Sequence, residues 1–142
     1  MKKHDKMKLE IESKSVNEGF ARAAVAAFAA RLDPSLEEIN DIKTAVSEAV
    51  TNCIVHAYPD EIGNIQIMCR VFEDYIEIKV RDYGRGIADI ARAREPMYTT
   101  GGADRSGMGF TVMESFMDEL RVRSREGVGT TVTMTKRVKP RK

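Results

Sequence analysis

The chain has 142 residues, a length that fits one domain built on one core. Apolar residues make up 42% of it, which supports a packed globule and excludes disorder. Its 23 basic and 22 acidic residues leave a net charge of +1, and there is no tryptophan. Together these argue against direct nucleic-acid binding through phosphates or base stacking.

In chain order, Met7, Leu9 and Ile11 alternate with polar residues and predict a first strand. Ser15-Val16-Asn17-Glu18 reads as a capping box. It predicts a helix over 17–32 with Phe20, Ala24 and Phe28 on one face. Asp33-Pro34 reads as an N-cap followed by proline in the first turn, so a second helix is expected from Pro34 to about Ala57. Alternation at Ile65, Ile67, Cys69 and Val71, and again at Ile76, Ile78 and Val80, predicts a hairpin turning at Glu73-Asp74. Gly84 to Gly86 is a turn and 87–94 a short helix. The glycine-rich stretch 96–107 is expected to be a loop. A third helix is expected over 109–117, then strands over 120–124 and 130–136. The basic tail 137–142 is expected to fray. The order β-α-α-β-β-(α)-α-β-β suggests an α+β two-layer sandwich, with a mostly antiparallel sheet and helices on one face.

No apolar run approaches the roughly 20 residues that span a bilayer. The basic start lacks the apolar segment of a secretory signal. Cys53 and Cys69 lie in apolar segments without CxxC spacing, as buried reduced thiols would. A cytoplasmic protein with no membrane partner is the expectation.

The second predicted helix is apolar over 45–55 except for Ser47, Glu48, Thr51 and Asn52, which form one stripe at 100° per residue. Glu48 and Asn52 are spaced i, i+4 and project side by side. A carboxylate on such a helix should face a cleft, because burying it unpaired is costly. It can act as a general base. An asparagine carbonyl is a hard oxygen ligand suited to Mg²⁺. A solvated polar edge, or a structural ion pair, is the alternative for the same stripe.

Asp82 closes a predicted strand ahead of Gly84 and Gly86. Glycines there let a flat ligand approach closely, and the carboxylate can accept from an exocyclic amine such as that of adenine. A simple strand-ending turn fits the same residues. Arg105-Ser106-Gly107-Met108-Gly109-Phe110 leads from loop to helix, where free backbone N–H groups bind phosphate and Arg105 adds a charge-assisted contact. It is neither a P-loop nor GxGxxG, and an ordinary glycine-flexed helix entry is the alternative. Gly127-Val128-Gly129-Thr130-Thr131 leads into the last strand and could be only a hairpin turn.

Jointly, ExxxN on a helix, DxGxG after a strand, RSGMG opening a helix and GxGTT entering a strand resemble the ATP-binding fold shared by sensor histidine kinases, gyrase B and MutL. More closely, 33–34, 42–44, 46–52 and 105–118 resemble the anti-sigma factor serine kinases of that GHKL superfamily, in their sporulation type. The likeness covers nearly the whole chain.

The resemblance implies a serine kinase using ATP/ADP and Mg²⁺. Glu48 would polarise the acceptor hydroxyl, and Asn52 would hold Mg²⁺. Asp82 would bind the adenine amine, with Gly84 and Gly86 shaping the pocket. Gly107 and Gly109 would contact phosphates, with Arg105, Ser106 and Met108 alongside. The lid over 96–106, including Thr99 and Thr100, would close on the triphosphate. Thr131 would support the adenine end. The implied partners are a sigma factor of the sigma-F type, an anti-anti-sigma protein phosphorylated on serine, and a second copy of the chain. Arg22 matches a helix-one arginine of the sigma contact. Ser47 stands where sensor kinases carry histidine, and the lid is shorter and richer in glycine than the sporulation type usually has. A general-stress-type anti-sigma kinase, or a nucleotide-gated sigma-binding module with little turnover, is the alternative.

Overall fold

The computed structural model describes residues 3–90, 94 and 109–139. Strand β1 runs Lys3–Glu12 and helix α1 Val16–Ala29. A short 3₁₀ turn, Ala30–Leu32, leads to α2, Leu36–Asn52, which widens into a π-helical turn at Cys53–Ala57. Then come β2, Asn64–Phe72, and β3, Tyr75–Asp82. Helix α3 spans Phe110–Phe116, followed by β4, Glu119–Arg125, and β5, Gly129–Arg137.

The strands form one five-stranded sheet in the order β1-β2-β3-β5-β4. Every pairing is antiparallel. The α+β two-layer expectation therefore holds. One face of the sheet carries the core, and the register aligns it in rows. Met7, Cys69, Ile78, Met134 and Leu120 form one row across the strands. Leu9, Ile67, Val80, Val132 and Val122 form the next. Ala21, Val25 and Phe28 of α1 and Ile42, Ala45, Val46 and Val50 of α2 cover these rows as one buried cluster. The third row begins with Ile11 and Ile65 and then turns polar, at Asp82, Thr130 and Ser124. The apolar layer thus opens into a polar cleft at one end of the sheet.

Four local expectations are corrected. Ser15 precedes α1 with helical backbone angles and makes no side-chain cap bond. Asn17 instead donates Nδ2–H to the Glu12 carbonyl at 2.8 Å, so the box read at 15–18 does not form. Phe20 is exposed, and the core face of α1 runs through Ala21, Val25 and Phe28. Asp33 is not the cap of α2: it takes a left-handed conformation, with φ of 51°, at the end of the 3₁₀ turn. The cap is Ser35. Its Oγ accepts from Glu38 N–H at 3.0 Å, while Glu38 Oε1 accepts from Ser35 N–H at 2.8 Å. Glu38 also holds the end of the chain, because its Oε2 accepts from Lys139 N–H at 3.0 Å. Val138 is buried and donates its N–H to Asp74 O. The predicted frayed tail is therefore ordered through Lys139, and its last residues lie outside the described ones.

Cys53 and Cys69 are buried and free, as the spacing implied. No helix among the described residues is long and apolar enough to cross a membrane. Of the short helix expected over 87–94, Ile90 is helical and its carbonyl accepts from Arg94 N–H at 3.0 Å. Residues 91–93, and the loop expected at 96–107, lie outside the described residues.

Candidate nucleotide-binding site

A cavity of about 450 Å³ opens where the third row of the sheet turns polar. The end of α2 forms one wall, through Ala49, Asn52, Cys53, His56 and Ala57. Val80 and Asp82 of β3 and Thr130 and Val132 of β5 form the floor. Gly86, Ile87 and Phe110 lie around the rim, with the charged groups of Arg85, Asp89 and Glu126. An apolar floor with a few converging polar groups is the usual make-up of a small-molecule site.

The local chain explains how the wall and floor are held. The turn after Asn52 widens to π geometry, with Tyr58 N–H bonded to Cys53 O at 3.0 Å. Such turns recur at functional sites because they re-aim side chains. The segment after Asp82 is strapped on both sides. Arg85 Nε–H donates to His56 O at 2.8 Å, and Ile87 N–H donates to Ser124 Oγ at 2.7 Å. Gly127 N–H donates to Arg85 O at 2.8 Å. Gly84 packs so closely under the end of α2 that a Cβ would collide with Ala57 O. Gly86 has φ of 77° and lies against Arg125 O, so a side chain there is excluded twice over.

Asp82 is 6% exposed, the most deeply placed carboxylate of the cleft. Its Oδ1 accepts from Gly84 N–H at 3.0 Å and Thr130 N–H at 3.2 Å. Its Oδ2 faces the Cys53 thiol at 3.6 Å. Burial raises its pKa, opposed by the two backbone N–H groups, the thiol and nearby Arg81. The same burial pushes Cys53 well above an ordinary thiol, reinforced by the Asp82 charge, so it is an inert thiol rather than a nucleophile.

Glu48 sits one helical turn from Asn52, beside the cavity and toward α3. Gly109, the residue before α3, has φ of 70° and lies directly on this carboxylate: a Cβ would collide with Glu48 Oε1. Burial raises the Glu48 pKa, and the Glu18 carboxylate raises it further. Arg22 pairs with the same Glu18. Its Nη1 donates to Ser47 Oγ at 3.3 Å and lies 3.2 Å from Glu18 Oε2, a charge contact without hydrogen-bond alignment.

The fold therefore brings Asn52, Asp82 and Gly86 to one cavity and Glu48 with Gly109 to its edge. Gly84 supports the floor from beneath. Thr131 does not reach the cavity. It pairs with Arg81 and Arg123, and strand alternation turns it to the opposite face; Thr130 is the residue at the floor. Arg22 lies on α1 beside the Glu48 turn rather than in the cavity. Thr99, Thr100, Arg105, Ser106, Gly107 and Met108 lie outside the described residues. The sequence reading missed Cys53, His56, Arg85 and Thr130. Alternation with Val132 and Met134 was enough to put Thr130 on the core face, whereas nothing local marks the π turn that swings His56 inward.

The donor set fits a purine nucleotide with Mg²⁺. Asp82 offers a buried acceptor at an apolar slot, and Asn52 a neutral hard oxygen at the slot's mouth. Among the described residues no group of three or more His, Cys, Asp or Glu could hold a metal ion. A metal here would take its other ligands from phosphates and water, as Mg²⁺ does.

A histidine kinase-like ATPase domain matches residues 11–136. The anti-sigma F factor of Caldanaerobacter subterraneus subsp. tengcongensis is 57% identical over 137 residues, covering 96% of each chain. That of Clostridium novyi is 58% identical over 137 residues, covering 95% of this chain and 96% of its own. The solved RsbU and RsbW domains of a Mycobacterium tuberculosis protein superpose with a TM-score of 0.70 at 22% identity, covering 95% of this chain and 32% of that one. The mycobacterial sensor histidine kinase MprB does so with 0.59 at 14% identity, covering 95% of this chain and all of that one. At those identities the two structures speak for the fold alone.

Proposed function

The chain belongs to the histidine kinase-like ATPase family, in its anti-sigma F factor branch, and from that premise we propose that it holds a sigma factor in a nucleotide-dependent way and phosphorylates a serine of the sigma factor's antagonist. The single observation that carries the kinase half is the placement of Glu48. A cleft carboxylate with a raised pKa stands one turn from Asn52 and against the helix entry at Gly109. A module that only bound nucleotide would need Asp82 and Asn52 but no base at that edge.

In this reading Asp82 accepts the adenine amine, and the apolar floor at Val80 and Val132 takes the ring. Asn52 would hold Mg²⁺ through its carbonyl oxygen. Once bound, the ion would supply charge neutralisation for the triphosphate. Glu48 orients the serine hydroxyl and takes its proton as the phosphoryl group moves, so catalysis rests on positioning and charge. Arg105, Ser106, Gly107 and Met108, which precede α3 in the sequence, we assign to the phosphates with Thr99 and Thr100. A raised Glu48 pKa suits the role, because a base works best with a pKa nearer the working pH.

The sequestering half rests on the curated relatives, which are named anti-sigma F factors. A homodimer, a cytoplasmic location and a sigma-F-type target belong to the same proposal. Size-exclusion chromatography of the chain with a sigma-F-type sigma factor tests it. The expected result is a complex of two copies of the chain with the sigma factor in Mg-ATP, released by unphosphorylated antagonist in ADP. A complex indifferent to nucleotide, or none, would contradict the proposal.

A further inference from the structure

The floor of the cavity fixes one oxygen of Asp82 with two backbone N–H groups, at 3.0 and 3.2 Å. The other oxygen takes neither of these bonds, and the group facing it is a side chain the proposed mechanism does not use. Cys53 Sγ lies 3.6 Å from Asp82 Oδ2 and 3.4 Å from Ala49 O. It lines the same cavity and is 3% exposed. The thiol holds one proton and has these two acceptors. A carboxylate oxygen accepts two hydrogen bonds, so a thiol and an incoming amine can share Oδ2.

We propose that Cys53 is a positioning residue for the adenine end of the nucleotide: its S–H donates to Asp82 Oδ2 and fixes that oxygen toward a purine 6-amino group. This rests on the reading of Asp82 as the adenine acceptor. Two bonds on Oδ1 pin one oxygen but leave the carboxylate free to tilt about it. The contact at Oδ2 sets the plane. A sulfur donor also stays weak enough to leave the second lone pair of Oδ2 fully available to the amine. Because the thiol stands on the wall contributed by α2 and Asp82 on the floor contributed by β3, the contact also fixes the slot's width.

The test compares binding of ATP with binding of inosine triphosphate, which carries an oxo group in place of the amine, to the full chain and to Cys53→Ala, Cys53→Val and Cys53→Ser. Loss of one weak hydrogen bond to a charge predicts that Cys53→Ala and Cys53→Val weaken ATP by about fivefold and leave the inosine nucleotide unchanged. Cys53→Ser keeps a donor and should restore ATP to within about twofold. Comparing two ligands on one variant cancels any general loss of stability. Equal weakening of both nucleotides, or weakening of neither, would overturn the inference and leave Cys53 a space-filling residue. A wild-type chain that binds the two nucleotides equally would instead overturn the adenine role of Asp82, and one that binds neither would overturn the proposed function.

Discussion

At the scale of single residues, the cleft is organised by carboxylates in different surroundings. Asp82 is buried but answered by backbone N–H groups from two elements. Glu48 is half-buried, and its pKa is raised by burial first and by Glu18 second. In the role proposed for it, Glu48 works only when ionised. Phosphoryl transfer should therefore fall as the pH drops through a value above the ordinary glutamate 4.5. Replacing Glu18 with Gln removes the second cause, so the acid limb of the pH–rate profile should move to lower pH with the plateau intact. A limb that stays in place would mean that Glu18 does not reach Glu48 in the working enzyme. Gly109 belongs to the same scale, since any side chain there would press on the Glu48 carboxylate from a left-handed backbone.

At the scale of elements, α2 does most of the work. Its start is fixed by the reciprocal Ser35–Glu38 box and its end by a π turn that opens onto the cavity. Ser35→Ala should lower stability by about 1 kcal/mol, read by denaturant titration, with nucleotide affinity little changed because the site lies at the far end of the helix. The Glu38 pKa is lowered: burial alone would raise it, but the N–H groups of Lys139 and Ser35, the Ser35 hydroxyl and the charge of Lys136 outweigh that. Its contribution is therefore present above pH 4.5 and lost as the pH falls through the lower folded value, so acid should loosen the start of α2.

The start of α2 also shows where sequence reading runs out. Asp33-Pro34 has the chemistry of a cap, and so does Ser35 with Glu38 three residues on. Only the left-handed turn at Asp33, imposed by the preceding 3₁₀ turn, decides between them. The strands were easier, because alternation at Ile65–Val71 and Ile76–Val80 leaves one way to bury a face. The stripe of Glu48 and Asn52 was legible for the same reason, as polar positions on an apolar helix. At Thr131 the motif position and the fold diverge, because the two-residue period of β5 turns Thr130 to the cavity instead.

At the scale of the whole molecule, the covered face of the sheet carries rows of side chains, two of them apolar throughout and one that turns polar at Asp82. Of the two long helices that cover the apolar rows, α2 also walls the cleft, so the core and the site share it. Among the described residues one helical layer therefore both covers the core and borders the candidate nucleotide cavity. It also links α1 to the Glu48 turn. Arg22 of α1 bonds Ser47 of α2, whose neighbour is Glu48.

The measurement that tests the central claim most directly is transfer of labelled γ-phosphate from Mg-ATP to a purified anti-anti-sigma protein, run side by side with wild type and Glu48→Gln while ATP binding is followed in parallel. The account predicts a phosphoserine product with wild type, a fall in rate of about 10²–10⁴-fold in the variant, and unchanged nucleotide affinity. Equal labelling by both proteins would contradict the assignment of Glu48, and tight ATP binding with no labelling by wild type would contradict the kinase itself.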